Sequence, residues 1–208
     1  MSSDFASGAS DTMIDRAPQS SEPKSRVRHQ TLTIALHWIT VLLVLAQFTL
    51  AILHERTSDA DFRSTVLATH RSLGVLILLL AIGRIVWRRW GMRLPPFPTG
   101  MSKGHQWGVR LSEWGLYGLL LAQPTTGLVS TVLRGRAFIV FGFSVSPLMA
   151  PNRYWAAVGA LHSLGAYLLA ALVLIHAGAA ILHRLVANDG VLDSMLPARL
   201  HKEDPQVE

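Results

Sequence analysis

The chain has 208 residues, of which 50% are hydrophobic and 15% charged, with a formal net charge of +6. A soluble domain usually carries about 25% charge, and here the basic residues flank apolar blocks, which fits membrane topology and not a nucleic-acid partner. Cysteine is absent, which excludes iron–sulfur clusters, thiolate-ligated haem and haem attached through C-x-x-C-H.

Residues 1–30 are polar and rich in Ser, Asp, Arg and Pro, the composition of a disordered tail, and they lack the apolar core of a signal peptide. The first apolar block, Leu32 to Leu53, holds no Asp, Glu, Lys or Arg. At 1.5 Å per residue it is about 33 Å long, enough to cross the hydrocarbon. A second block runs from Ser64 to Trp87, with Arg71 and Arg84 near its ends, where long side chains are expected to snorkel outward. A third runs from Gly108 to Leu133, with a kink expected at Pro124, and a fourth from Ala156 to Leu182. The linkers are a short polar turn at 54–63, a segment at 88–106 with Pro95, Pro96 and Pro98, and a segment at 134–155 with Pro147 and Pro151. After Arg184 the chain is polar again, with a short amphipathic stretch around Val191 to Leu196. The expected architecture is all-α, an integral membrane four-helix bundle over 31–186 between tails at 1–30 and 187–208.

Thirteen Lys and Arg fall on the side of the termini and the second linker, and six on the other. The positive-inside rule then places both termini in the cytoplasm.

Nine histidines occur. His29, His105 and His201 lie in tails or loops and His54 at a helix end, where surface histidine needs no special role. Four others obey a depth rule. His37 is about 8 Å inside the cytoplasmic start of the first helix, and His176 about 9 Å from the cytoplasmic end of the fourth. His70 and His162 each lie six residues inside the outer starts of the second and fourth blocks. The fourteen residues from His162 to His176 turn a helix about 40° short of four full turns and rise about 21 Å, so both face the same way at opposite depths. Two imidazoles per level suit two stacked porphyrins, each with a bis-histidine iron, better than a structural zinc, which wants four ligands at one point. Gly74 and Gly165, close after His70 and His162, would give a flat macrocycle clearance, although small residues also recur wherever membrane helices pack. His183, at the cytoplasmic edge, is a candidate proton donor to a quinone, or simply an interfacial histidine beside Arg184.

An ordered set of short motifs completes the pattern: LHW at Leu36 to Trp38, H-x3-G at His70 to Gly74 and P-x2-GL at Pro124 to Leu128. RG-x2-F-x2-FG at Arg134 to Gly142, LHSLGAY at Leu161 to Tyr167, IHAGAAILHRL at Ile175 to Leu185 and LP at Leu196 and Pro197 follow. Over about residues 30 to 200 the chain resembles the bacterial cytochrome b561 family of four-helix di-haem proteins. The resemblance implies two haem b groups, with His37 and His176 on the inner haem iron and His70 and His162 on the outer. It also implies membrane quinone as a partner, and for one branch of the family superoxide as donor and ubiquinone as acceptor.

Three functions follow. The first is an oxidoreductase passing electrons from a periplasmic donor, superoxide above all, to ubiquinone. Arg134, Arg136 and Arg153 in the outer linker would steer the anion, since no acidic residue occurs between Glu113 and Asp189; the same arginines suit lipid headgroups or haem propionates. The second is an electron-transfer or membrane-anchor subunit docking a dehydrogenase or hydrogenase as its redox protein partner. The third is a transporter using the histidines as a proton relay without haem.

Overall fold

A computed structural model describes residues 31–91, 101–187, 192 and 195. Four helices carry the fold: α1 (Thr31–Arg56), α2 (Ala60–Trp90), α3 (Lys103–Leu133) and α4 (Trp155–Leu182). Each is long and apolar enough to cross a membrane. In hydrocarbon a spanning segment must satisfy its own backbone, which a helix does. The helices outrun the apolar blocks because their polar ends stay helical until a cap stops them. The Asp59 carboxylate accepts from the Phe62 N–H at 2.9 Å, opening α2 four residues before the apolar run. The Ser102 hydroxyl opens α3 by accepting from the His105 N–H. Only residues 57–59 separate α1 from α2, so the two are antiparallel neighbours.

Helix α1 packs on α2, α2 on α3, and α3 on α4, while α4 packs closely on no other long helix. Val44, Ile77, Ala81 and Leu120 form the core of the first three, with Leu43, Phe48 and Leu121 against it. Helix α4 buries Leu169 alone. Large apolar side chains such as Leu42, Leu79, Leu168 and Leu174 point outward, as expected of a surface that meets lipid. Helix α3 runs on through Pro124. Around it Thr125 and Thr126 donate back to the carbonyls of Leu121 and Ala122.

The bundle has two distinguishable ends. The hairpin end carries the α1–α2 turn and the segment between α3 and α4. Read from sequence as a plain linker, that segment contains an antiparallel hairpin, β1 (Phe138–Val140) and β2 (Phe143–Val145), with Val140 opposite Phe143. Its two-residue turn, Phe141 and Gly142, has φ of 50° and 80°, the positive pair that a type I′ turn demands. The hairpin is docked on α2: Phe138 is buried, and the Phe141 N–H donates to the Ser72 hydroxyl at 2.7 Å. At its base the Asn152 N–H donates to the Leu133 carbonyl, and Gly135, at φ +61°, lies so close to Pro151 that a side chain there would collide.

The terminal end carries the start of α1 and the end of α4, which continues as a π turn over His183–Ala187. The expected tail at 1–30, all of the expected tail at 187–208 but residues 187, 192 and 195, the proline-rich stretch at 92–100 and most of the amphipathic stretch lie outside the described residues. Met195 is an exception: its carbonyl accepts from the Trp38 indole N–H at 2.9 Å.

Candidate functional site

At the hairpin end His70 of α2 meets His162 of α4. Their ring centroids are 6.3 Å apart and the ring planes stand at 85°. Two imidazoles on one first-row metal, each bonded at about 2 Å, bring their centroids about 6 Å apart. The pair therefore has the separation of two axial ligands, although α2 and α4 are not packed on each other.

His162 is oriented by α3. Its Nδ1 lies 2.9 Å from the Gln123 carbonyl and 3.3 Å from the Thr126 hydroxyl. A carbonyl can only accept, so Nδ1 carries the proton and Nε2 keeps its lone pair, the tautomer a metal needs. Gly127 makes room for this ring: a Cβ there would lie 3.0 Å from His162 Cε1. The P-x2-GL motif thus supplies both the orienting carbonyl's neighbourhood and the space. His70 is held through its backbone, whose carbonyl accepts from Gln47 Nε2 at 3.0 Å. Its own Nδ1 is buried with no partner among the described residues, an arrangement that is costly unless something else binds there.

The clearance expected at Gly74 and Gly165 is used differently. A Cβ at Gly74 would press on the Gln47 amide at 3.2 Å, and one at Gly165 would collide with the Gln123 amide. These glycines admit the two glutamines that flank the histidine pair, because helices this close leave no other room for a side-chain amide.

At the terminal end His37 stands six residues into α1 and His176 six residues before the end of α4. The His37 ring meets the Trp38 indole edge-on, centroids 5.7 Å apart. Arg84 does not snorkel outward as expected. It is pinned inside the bundle, donating to the Thr40 hydroxyl at 2.8 Å and lying 5.5 Å from the Tyr117 ring. Arg84 and Glu113 both lie within electrostatic reach of His176. Glu113 forms a two-pronged ion pair with Arg88, whose guanidinium also lies over Trp114 and Tyr117. Ion pair and aromatic faces together satisfy a charge that the bilayer would otherwise disfavour.

The three linker arginines do not act as one patch. Arg134 lies over the Trp155 ring at 4.4 Å, Arg153 donates to the Tyr154 hydroxyl at 2.8 Å, and Arg136 is exposed. His183 lies in the π turn, and its side chain is outside the described residues. His54, given no role from sequence, is an electrostatic neighbour of His70, and its Nδ1 is buried with no hydrogen-bond partner among the described residues. Among the described residues no three His, Cys, Asp or Glu side chains converge on one point. A cavity of about 430 Å³ lies between α2 and the hairpin, but the hydroxyls of Thr65, Thr69 and Ser72 that line it are already donated to backbone carbonyls.

The model of the prokaryotic cytochrome b561 family matches residues 28–198. Cytochrome b561 homolog 1 of Escherichia coli (strain K12) is 31% identical over 173 residues, covering 80% of this chain and 95% of that protein. A probable superoxide oxidase CybB of Yersinia pestis is 28% identical, covering 83% and 97%. Cytochrome b561 homolog 2 of Escherichia coli (strain K12) is 27% identical, covering 81% and 91%.

Proposed function

The chain belongs to the prokaryotic cytochrome b561 family of haem b membrane electron-transfer proteins, and from that premise we propose that it is a di-haem cytochrome that passes electrons between a donor at the hairpin end and membrane quinone. In this reading His70 and His162 hold one haem iron, and His37 and His176 the other. The observation that carries it is the 6.3 Å separation of the His70 and His162 rings. Haem b, when bound, supplies a one-electron carrier. The chain's own work is to fix the ligands. The Gln123 carbonyl keeps the proton on Nδ1 of His162, which makes Nε2 the more basic donor.

The Lys and Arg distribution supports both termini in the cytoplasm of a bacterium and the hairpin end facing outward. Superoxide is the donor in this reading. One similar protein is named a probable superoxide oxidase, and the exposed Arg134, Arg136 and Arg153 would draw in a small anion. Ubiquinone is the acceptor, with His183 as the candidate proton donor. The subunit reading has one observation in its favour: Phe143 and Leu148 at the hairpin end are 75% and 67% exposed, an apolar surface that a partner would cover.

The test is anaerobic mixing of the oxidised, detergent-purified protein with superoxide, then with ubiquinone. Rapid haem reduction, slowed by salt and by Arg134→Glu with Arg153→Glu, followed by reoxidation, is expected. Haems that stay oxidised with superoxide but are reduced by a co-purifying dehydrogenase would favour the subunit reading.

A further inference from the structure

The two histidines of the hairpin end are served differently. The Gln123 carbonyl holds His162 by its ring. Gln47 of α1 meets His70 at its main chain, donating through Nε2 to the His70 carbonyl at 3.0 Å. Gln47 is the one side-chain amide in the apolar block Leu32 to Leu53, and a polar group in a spanning helix usually bonds across to a neighbouring helix. A carbonyl can only accept, so the amide turns its nitrogen to His70 and keeps its oxygen spare. That oxygen, Gln47 Oε1, and the ring Nδ1 of His70 are both buried with no hydrogen-bond partner among the described residues. With Nε2 given to a metal, Nδ1 carries the proton. The two orphans are therefore an acceptor and a donor, on residues already in contact. Left apart in a membrane interior, each costs free energy. Gly74 belongs to the same arrangement. A Cβ there would stand 3.2 Å from Gln47 Nε2 and 3.9 Å from Pro124 Cβ, so the H-x3-G spacing opens, one turn after the ligand, the passage by which the amide reaches it.

We propose that Gln47 is the positioning residue of His70: its amide donates to the main-chain carbonyl through Nε2 and accepts the ring Nδ1 proton through Oε1, across one bridging water. This rests on the di-haem reading above and adds to it a residue that sequence reading did not single out. The bridge is a water because the two atoms are not bonded to each other directly, and a buried water that joins orphaned polar groups is as good a link as a direct bond. Two consequences follow for the ligand. The plane of the His70 ring, which stands at 85° to that of His162, is held from α1. Its Nε2 also becomes a more basic donor, as the Gln123 carbonyl makes that of His162.

The experiment uses the full-length holoprotein in detergent, and reads EPR spectra of the oxidised state and midpoint potentials. The g-values of a ferric bis-histidine haem report the angle between its two rings, and its potential falls as the ligands become more basic. Gln47→Leu keeps the bulk and loses both bonds. It should shift the g-values of one haem signal and raise one of two potentials, leaving the other haem as it was. Gln47→Glu keeps an acceptor at the same place, so it should bring the g-values back and hold the potential at or below that of the wild type. Thr49→Val, which loses only a bond to the Leu45 carbonyl within α1, should change neither. If Gln47→Leu does not fold, Gly74→Ala presses on the same amide and should move the same signal by less; an unmoved signal there overturns the proposal. Wild-type g-values and potentials in Gln47→Leu with two haems bound would also overturn it and leave the di-haem reading standing. So would equal shifts at both haems, or g-values that Gln47→Glu fails to restore, since either marks a loosened bundle and not a lost acceptor. A wild-type protein with fewer than two haems would sink the reading beneath.

Discussion

The two ends of the bundle hold their histidines and arginines in different ways. At the hairpin end the histidines are oriented by neutral groups, the Gln123 carbonyl and the Gln47 amide, while Arg71 lies over the Phe138 ring and Arg134 over the Trp155 ring. At the terminal end Arg88 is neutralised by Glu113, and Arg84 is satisfied by Thr40 and the Tyr117 ring. The one acid on α3, Glu113, lies within electrostatic reach of His176 at the terminal end. Under the proposed function electrons enter at the hairpin end and leave at the terminal end.

The comparison breaks most sharply at the ligands. His37→Ala and His70→Ala should remove different low-spin spectral species, one per end, and loss of the same species from both would dissolve the distinction. A smaller effect is expected at Gly127→Val, which drives a side chain into the His162 ring. It should strip most of the haem from the hairpin end and leave the terminal end loaded, as read by haem stoichiometry and midpoint potentials. Glu113→Gln acts on the other end. It leaves Arg88 unpaired in a site only partly open to solvent, and should cost about 1–2 kcal/mol, seen as a lower Tm in detergent with both haems retained. The smallest effect is expected for His183→Ala, which should keep both haems and at most slow ubiquinone reduction in stopped-flow traces.

What could be read from the sequence was one-dimensional. Apolar runs set the four helices, and counting residues from the block ends put His70 level with His162 before any packing was known. Spans and depths depend on the helical rise alone. The hairpin was missed because its turn is Phe141–Gly142, not an Asn-Gly or Asp-Gly pair, and its strands have three residues each. Arg71 and Arg84 were expected to snorkel. Whether a long side chain turns outward or inward is decided across helices, here by Phe138 and by Thr40. The space at Gly74 and Gly165 was legible, but not that Gln47 and Gln123 fill it. Gly127 stood in a quoted motif, and only its approach to His162 shows what it does. Glu113 was noted as the last acid before a long gap, while its pairing with Arg88 required α2 and α3 to be brought side by side.

The central claim is that His70 and His162 share one iron. It is tested most directly by a pyridine haemochrome assay of the wild-type chain and His162→Ala, purified in parallel and normalised to protein. The account predicts two haems per chain in the first and one in the second, all extractable by acid acetone because the chain has no cysteine to tether them. One haem or none in the wild type, or equal counts in the two proteins, would contradict it.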